Sequence, residues 1–382
     1  MRVAVVVRSL KVGGMERVAV NLSEAFADAG YESHLIYFKA KNRVLTPKQS
    51  VHFHYFNLSK LLNLTIIGAI LGVFAKLLSG IFRGSFFFYN GLLLAPIFKY
   101  KLNKLEKVHG KFDLIIMRGH GTFELIWPIK DERIIQMVES VFIRHGSILD
   151  NFYIKCVYDG KNLGCVSSGV KEKVLEVLSK TRVSANSVEL IHNPIDIELI
   201  REKSNAYKPD INKPYIISVG RITPNKNISF LLESYKYAKN YLSLTMPLVI
   251  VGNGHDMKNV KSKIIELNLE KNVKLLGILE NPYPWIKNAE ILTSTSKAEG
   301  FGMVLIEALS CKTKVITTKS IGGVKDIMLD DLEKYMIDFS EEKFANKICE
   351  VIEESKVLDF DKYINRFSSQ SIVKRYEKLY LD

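Results

Sequence analysis

Cysteine is scarce in this chain, and its arrangement marks neither a metal centre nor a disulfide framework. The four residues, Cys156, Cys165, Cys311 and Cys349, form no C-x-x-C pair and show no metal-ligand spacing. Such a pattern argues against a zinc site and suits a reducing compartment. A signal peptide is also missing at the N-terminus, because the first apolar run is short and leads into glycines. We therefore expect a cytoplasmic protein.

Long uncharged apolar runs are lacking as well, even in the most apolar part of the chain, residues 61–100. The uncharged run from Leu61 to Ala75 is shorter than the about 20 residues that a bilayer-spanning helix requires. The segment 39–111 is nevertheless unusual, because it holds twelve lysines and arginines against one acid, Glu106. Basic and apolar character together favour contact with an anionic membrane surface. The alternative is an ordinary helical layer with solvated lysines.

Strand-like apolar runs alternate with helix-like runs over the whole chain, as in "RVAVVVRSL" followed by a glycine turn and a helical pattern. This alternation predicts parallel sheets covered by helices on both faces. At 382 residues the chain exceeds the usual size of a single core, and a Pro-, Asn- and Asp-rich stretch at 193–213 divides it. We therefore predict an α/β fold of two doubly wound, Rossmann-like domains, 1–195 and 196–365, that face each other across a cleft.

Two cations follow the first predicted strand of the second half, in "SVGRITPNKN". Arg221 comes directly after the strand glycine, and Lys226 lies just before a helix predicted to start near Asn227. Basic side chains and the backbone N–H groups of a helix N-terminus together favour an anion such as phosphate. The alternative is a pair of solvated surface charges.

A second candidate group lies in "AEGFGMVLIEAL", where two acids flank a Gly-Phe-Gly turn. Glu299 precedes the turn, and the following helix is predicted to begin around Met303. Unpaired N–H groups near Phe301, Gly302 and Met303 suit hydroxyls or phosphate. Glu307 lies one helical turn further on the same face, where its carboxylate can bind a vicinal diol such as a ribose. Alternatively, both acids have only structural roles.

The first half offers two weaker candidates. Gly14 stands in "KVGGMER" after the first strand, and His120 stands in "RGHG" after a later one. Neither segment is a dinucleotide-binding G-x-G-x-x-G motif. The chain also lacks a phosphate-binding P-loop, a G-x-S-x-G nucleophile motif and an H-E-x-x-H metal motif. No motif thus predicts a cofactor or a metal.

These motifs resemble those of retaining glycosyltransferase family 4, whose members have the GT-B fold and use nucleotide sugars. The resemblance rests on the N-terminal "VGGMERVAVNLSEAF", on "IHNPID", "SVGRITPNKN" and "VGNG", and on "AEGFGMVLIEAL" with its E-x7-E spacing. The last segment, "FSSQSIVKRYEKLY", is similar to the family's terminal helix. That similarity implies that residues 366–382 cross back to the first domain.

The resemblance implies a role for each motif of the second half. Arg221 and Lys226 would neutralise the donor diphosphate and stabilise the leaving nucleotide. Glu299 would bind the sugar hydroxyls together with the backbone of Phe301 and Gly302. Glu307 would hold the ribose. Transfer with retention would proceed by attack on the same face of the sugar, without Glu299 as a nucleophile and without a metal.

In the first half, the resemblance implies that the loop at Gly14 approaches the phosphates and that His120 lies near the donor sugar. It also assigns to donor binding the remaining residues of the shared motifs, namely Asn193, Gly220, Gly252, Gly254 and Met303.

The acceptor region of the family lies in the first domain, which here contains the basic and apolar segment 39–111. We therefore expect a glycan or lipid-linked acceptor of bacterial surface polysaccharide, lipopolysaccharide or glycolipid synthesis, reached at the inner face of the cytoplasmic membrane. The motifs do not distinguish UDP-linked from GDP-linked donors. The alternative is a non-hydrolysing sugar-nucleotide 2-epimerase, although the E-x7-E spacing favours a transferase. Nucleic-acid binding is disfavoured, because it explains none of the strand-end motifs.

Overall fold

A computed structural model describes residues 1–11, 13–41, 43–58, 60, 86–119, 121–143, 146–354 and 358–381. His120 and residues 61–85 of the basic and apolar segment lie outside these ranges. The chain forms two compact units, Met1–Pro194 with Ser369–Asp382, and Ile195–Ser368. The boundaries predicted at 195/196 and 365/366 fall beside these divisions.

The first unit is a seven-stranded parallel sheet with the strand order β3-β2-β1-β4-β5-β6-β7. Its interior strand β1 is buried on both faces from Val3 to Val7, as expected for an apolar, largely β-branched strand inside a parallel sheet. Its strands are β1 (Arg2–Ser9), β2 (Glu32–Lys39), β3 (His52–Tyr55), β4 (Leu114–Arg118), β5 (Ile134–Val138), β6 (Asn162–Cys165) and β7 (Ser187–Leu190). Its helices are α1 (Gly14–Asp28), α2 (Phe86–His109), α3 (Ile148–Tyr158) and α4 (Ser168–Thr181).

The second unit contains a six-stranded sheet, also parallel, with the order β10-β9-β8-β11-β13-β15, and a small β12-β14 pair. Its strands are β8 (Ile216–Val219), β9 (Leu248–Val251), β10 (Val273–Gly277), β11 (Ile291–Ser294), β12 (Ala298–Glu299), β13 (Lys314–Thr318), β14 (Ile321–Gly322) and β15 (Met336–Ile337). Its helices are α5 (Ile197–Lys203), α6 (Ile228–Tyr241), α7 (Met257–Glu266), α8 (Tyr283–Lys287), α9 (Met303–Ser310), α10 (Val324–Ile327), α11 (Glu341–Glu353) and α12 (Phe360–Ile364). The predicted class of two doubly wound α/β domains is thereby confirmed.

The C-terminal helix, α13 (Ser369–Tyr380), belongs to the first unit although the second unit precedes it in the chain. It packs on α1, where the buried Tyr376 ring lies 5.7 Å from that of Phe26. The Tyr31 hydroxyl donates to Glu377 Oε1 at 2.5 Å, and Arg375 Nε donates to the Leu190 carbonyl at 3.3 Å. These contacts explain why the amphipathic end of the chain returns to the first sheet.

Within the described ranges, no helix combines the length and the apolar character needed to cross a membrane. The most apolar long helix among them, α2, buries one face formed by Leu94, Ala95, Phe98 and Leu102 against the first unit.

Candidate functional site

The carboxyl ends of β8 and β11 in the second unit border a small depression. Parallel strands direct the loops that follow them to one edge of the sheet, where doubly wound proteins bind ligands. The depression is lined by the loop after β8, by Lys226, and by the hydroxyl-bearing end of β11: Ser218, Val219, Gly220, Arg221, Ile222, Lys226, Ile228, Ile250, Val251, Ser294, Thr295 and Ser296.

Lys226 and Glu299, which the sequence assigned to separate groups, form an ion pair. Lys226 ends a short 3-10 helix, Pro224–Lys226, and its ammonium donates to Glu299 Oε1. Ser296 Oγ donates to the same carboxylate oxygen at 2.6 Å. The Lys226 and Glu299 side chains are 24% and 13% exposed, so both groups remain within reach of a ligand.

Hydrogen bonds to backbone carbonyl groups hold together the two loops that carry this pair. Lys297 N donates to the Asn225 carbonyl, and Asn225 Nδ2 donates to the Ala298 carbonyl, both at 2.8 Å. Thr295 Oγ1 donates to the Lys226 carbonyl at 3.0 Å. The ammonium and the carboxylate are therefore fixed before any ligand arrives, which lowers the cost of ordering them on binding.

Arg221 adds a second cation at the same edge. Its side chain is exposed and makes no hydrogen bond or ion pair with any residue that the structure describes. With Lys226 and Glu299 it gives the depression two positive charges against one negative charge. That surplus suits an anionic ligand.

Gly252 and Gly254 allow the loop after β9 to approach the loop after β8. A Cβ atom on Gly252 would lie 1.9 Å from the Gly220 carbonyl oxygen, and one on Gly254 would lie 1.9 Å from that of Ile222. The two loops are joined by Ile222 N, which donates to the Asn253 carbonyl at 3.0 Å. Close packing of backbone therefore explains these two glycines without a ligand, and their part in donor binding stays a prediction.

The helix α9 begins at Met303, as the sequence predicts. Gly302 caps it with a φ of +103°, a conformation that glycine adopts without the strain of a side chain. Phe301 is buried, and its ring packs edge-on against Phe367 with 5.2 Å between the centroids. The phenyl group is thus part of the core, and only the backbone of this turn can serve a ligand.

Glu307 lies one turn into α9 and is half-buried on the same face as Met303. The Tyr283 hydroxyl stands 3.5 Å from Glu307 Oε1, which orients that oxygen.

The first unit contains the remaining predicted residues. Gly14 opens α1, and a Cβ atom there would meet nothing within 4 Å, so the protein itself does not require glycine at this position. Asn193 is buried and accepts a hydrogen bond from Arg118 Nη2 at 2.6 Å. Arg118 also pairs with Glu139 at 2.7 Å. Donor contact by Gly14 and Asn193 stays a prediction, as does that by His120.

Two residues of these clusters escaped the sequence analysis. Ser296 orients Glu299, and the signal for it is the hydroxyl-rich "TSTS" at the end of β11. Arg118 is a fully buried cation at the end of β4, and the only signal for it is a charge placed directly after four apolar strand residues. Both signals are equally typical of structural residues, so only the three-dimensional structure reveals these contacts.

Comparison with known families agrees with the motifs. The model for Glycosyltransferase Family 4 matches residues 12–199, and the model for Glycosyl transferases group 1 matches residues 198–369. The two matches follow each other along the chain and correspond to its two halves.

Curated relatives are glycosyltransferases. The chain is 32% identical over 186 residues to a Campylobacter jejuni N-acetylgalactosamine-N,N'-diacetylbacillosaminyl-diphospho-undecaprenol 4-alpha-N-acetylgalactosaminyltransferase. It is 26% identical over 208 residues to the Staphylococcus aureus capsular polysaccharide biosynthesis glycosyltransferase CapM. The matched stretches cover 49% and 52% of this chain and 49% and 53% of those proteins, so the chain spans about half the length of each.

Solved structures share the fold over the entire chain. A point mutant of S. aureus TarM, in complex with Fondaparinux, alpha-GlcNAc-glycerol and UDP, superposes with a TM-score of 0.72 at 15% identity and covers 100% of both chains. The apo lipopolysaccharide outer core galactosyltransferase WaaB gives a TM-score of 0.65 at 18% identity, over 99% of this chain and 98% of its own. The two parallel-sheet units, the order of the motifs and the two successive family matches agree, and the chain therefore belongs to glycosyltransferase family 4 and has the GT-B fold.

Proposed function

We propose that this chain is a retaining glycosyltransferase that moves a hexosyl-type sugar from a UDP- or GDP-linked donor to a glycan or lipid-linked acceptor. The observation that carries the proposal is the fixed Lys226–Glu299 pair beside the exposed Arg221 guanidinium at the carboxyl edge of the second sheet. The two cations suit the diphosphate of a nucleotide sugar, and the carboxylate suits a sugar hydroxyl.

The two cations act on the leaving group. When the bond between the anomeric carbon and the donor diphosphate breaks, its electron pair moves to the phosphate oxygen. Arg221 and Lys226 stabilise the charge that develops there. The acceptor hydroxyl attacks the same face of the sugar, forms the new bond to the anomeric carbon and gives its proton to the leaving phosphate. This route needs no carboxylate nucleophile and no metal.

The two carboxylates, Glu299 and Glu307, contact different parts of the donor. Glu299 Oε1 is occupied by Lys226 and Ser296, whereas its Oε2 accepts no hydrogen bond from any residue in the described ranges. That oxygen is available to a sugar hydroxyl. Glu307, further along α9, binds the ribose hydroxyls. Both carboxylates bind the donor, and neither acts as an acid or a base in the reaction.

The acceptor side is proposed from the first unit, which we place at the inner face of the cytoplasmic membrane. On α2 the apolar side chains of Leu92, Tyr100 and Val108 are 48%, 64% and 74% exposed. Four exposed lysines stand on or just after the same helix: Lys99, Lys104, Lys107 and Lys111. Exposed apolar groups among lysines are typical of a protein that binds the surface of an anionic bilayer.

The helix α3 carries a second group of exposed apolar side chains. Its first turns expose Ile148, Leu149 and Phe152 by 88%, 60% and 52%. The 3-10 turn Phe123–Ile126 lies against both helices, because the Tyr153 hydroxyl donates to Glu124 and α2 packs on the same turn. The name of the Campylobacter jejuni relative, which includes diphospho-undecaprenol, supports a lipid-linked acceptor.

A screen of nucleotide sugars tests the proposal. We expect one UDP- or GDP-sugar to raise the melting temperature of the wild-type protein and to be hydrolysed slowly without acceptor. Glu307→Ala should weaken donor binding and reduce turnover at least about 10-fold, since it removes the carboxylate that holds the ribose. Glu290→Ala, which changes an exposed acid elsewhere in the second unit, is the matched control.

Two results would contradict the proposal. If Glu307→Ala behaves as the control does, the assignment of the donor site is wrong. Conversion of a nucleotide sugar to its C2 epimer would instead favour the epimerase.

A further inference from the structure

Four of the chain's eight histidines gather at one corner of the first unit, next to a glutamate. Glu32 and His34 stand on β2, His52 and His54 on β3, and His109 is the last residue of α2. The ligating atoms of Glu32, His34, His52 and His109 all lie within 4.8 Å of one another. Histidines from three separate elements thus converge on one point of the first unit.

The β-sheet register produces the convergence. His34 pairs directly with His52 across the parallel β2–β3 ladder, and their rings stack with 4.6 Å between centroids. Glu32 lies two residues before His34 and so shares its face of the sheet. The cluster stands at the amino-terminal end of β2 and β3, opposite the carboxyl edge that carries the Gly14 loop. It is therefore separate from the proposed donor contacts.

Two separations within the cluster are close to those between the ligands of a tetrahedral ion. Glu32 Oε1 lies 3.2 Å from His34 Nε2 and 3.6 Å from His109 Nδ1. Zinc bonds of about 2.0–2.1 Å in tetrahedral geometry place neighbouring ligand atoms about 3.3–3.4 Å apart. These two values lie on either side of that spacing, and every other pair of ligand atoms in the cluster lies within 4.8 Å.

A second layer of contacts holds two of these ligands in orientation. His34 Nδ1 lies 2.9 Å from His54 Nε2, so its N–H can donate there while Nε2 faces the cluster. On the other side, Glu32 Oε2 forms an ion pair with Arg2 Nε at 2.7 Å, which leaves Oε1 directed at the histidines. Metal-binding imidazoles and carboxylates have such outer partners as a rule.

The cluster is closed on one side, where His34 is fully buried. The opposite side of the cluster is open, because His52 is exposed and the His109 side chain is 24% exposed. An ion can therefore enter without unfolding of the sheet.

We propose that Glu32, His34, His52 and His109 bind one Zn²⁺ ion. Three neutral imidazoles and one carboxylate fill a tetrahedral shell and leave no open position, which is the pattern of a structural and not a catalytic zinc. The ion joins the short edge strand β3 and the end of α2 to β2. Its ligands come from residues 32 to 109, and this spacing matches none of the short metal motifs that a sequence reveals.

Zinc binding to the full chain, without a polyhistidine tag, tests the proposal. After dialysis against a chelator, the protein is titrated with Zn²⁺ in competition with a chromophoric chelator. We expect one ion per chain and a higher melting temperature with zinc. Co²⁺ in place of zinc should give the intense visible absorption of a tetrahedral site, which Zn²⁺ then abolishes.

His52→Gln and His109→Gln change the two exposed imidazole ligands on different elements, so the fold of each variant should survive. Each should weaken Zn²⁺ affinity at least about 10-fold. His255→Gln, an exposed histidine of the second unit, should bind zinc as the wild type does. Absence of stoichiometric binding to the wild type, or equal affinity in the two cluster variants and the control, would overturn the proposal.

Discussion

Replacement of Lys226 by alanine tests the proposed donor site most directly. The ammonium contacts Glu299 and is partly exposed toward the depression, so the change removes one charge-assisted contact to the donor diphosphate. Such a contact contributes about 1.5–3 kcal/mol, which corresponds to a loss of about 10- to 150-fold in kcat/KM. The cost in folding stability should be small, at most about 1 kcal/mol, because the ion pair is partly solvated and Ser296 still donates to the carboxylate.

The assay is release of the nucleoside diphosphate from the donor identified in the screen, measured in parallel with the melting temperature. Lys297→Ala is the matched control, since that exposed lysine lies in the neighbouring loop without a side-chain contact in the site. Because Lys226 and Glu299 touch, Lys226→Ala and Glu299→Gln should be non-additive in a double-mutant cycle. Activity of Lys226→Ala within about 3-fold of the control, with an unchanged melting temperature, would refute the argument for this site.

Three further predictions concern packing, the membrane and pH. Gly254→Ala should lower the free energy of unfolding by about 3 kcal/mol, because its Cβ would meet the Ile222 carbonyl. Gly14→Ala should instead leave the free energy of unfolding unchanged and reduce donor affinity. Chemical denaturation measures the first quantity for both variants, and donor titration measures the second. At low salt the protein should sediment with anionic liposomes but not with neutral liposomes. Charge reversal at Lys104 and Lys107 should abolish this co-sedimentation. Equal co-sedimentation with both vesicle types would contradict an electrostatic contact. Burial and then Lys130 lower the pKa of Lys161 to about 8 from its ordinary 10.5. Between pH 8 and pH 10.5 the Lys161 amine is protonated in the unfolded chain but largely neutral in the folded protein. The free energy of unfolding should therefore rise with pH over this range, and Lys161→Met should remove this rise in urea titrations.

The fold could be predicted from local sequence patterns, because the patterns for strands, turns and helices agree with one another. Runs of β-branched residues buried on both faces, such as Val3–Val7, can only be central parallel strands. The start of α9 at Met303 could be predicted because a glycine turn precedes a run of helix formers. The same holds for the helix after Asn227, which begins at Ile228.

Roles within the second unit were less predictable. The family resemblance implied that Lys226 contacts the diphosphate and Glu299 the sugar, while the structure joins the two side chains in one ion pair. They are 73 residues apart, and only the adjacency of β8 and β11 in the sheet brings their loops together. Similarly, Gly252 and Gly254 could be recognised as a motif, but the backbone that requires them lies in a different loop.

By itself, then, the sequence determined the alternation of strands and helices, the division into two α/β domains and the strand ends at which charged residues lie. Each of these features depends on the order of neighbouring residues along the chain. Only the tertiary structure decided which of those residues meet. The histidine cluster is the clearest case, since Glu32, His34, His52 and His109 converge through strand register and the end of a long helix. Distances between ligand atoms depend on how elements pack in three dimensions, and no linear spacing encodes them.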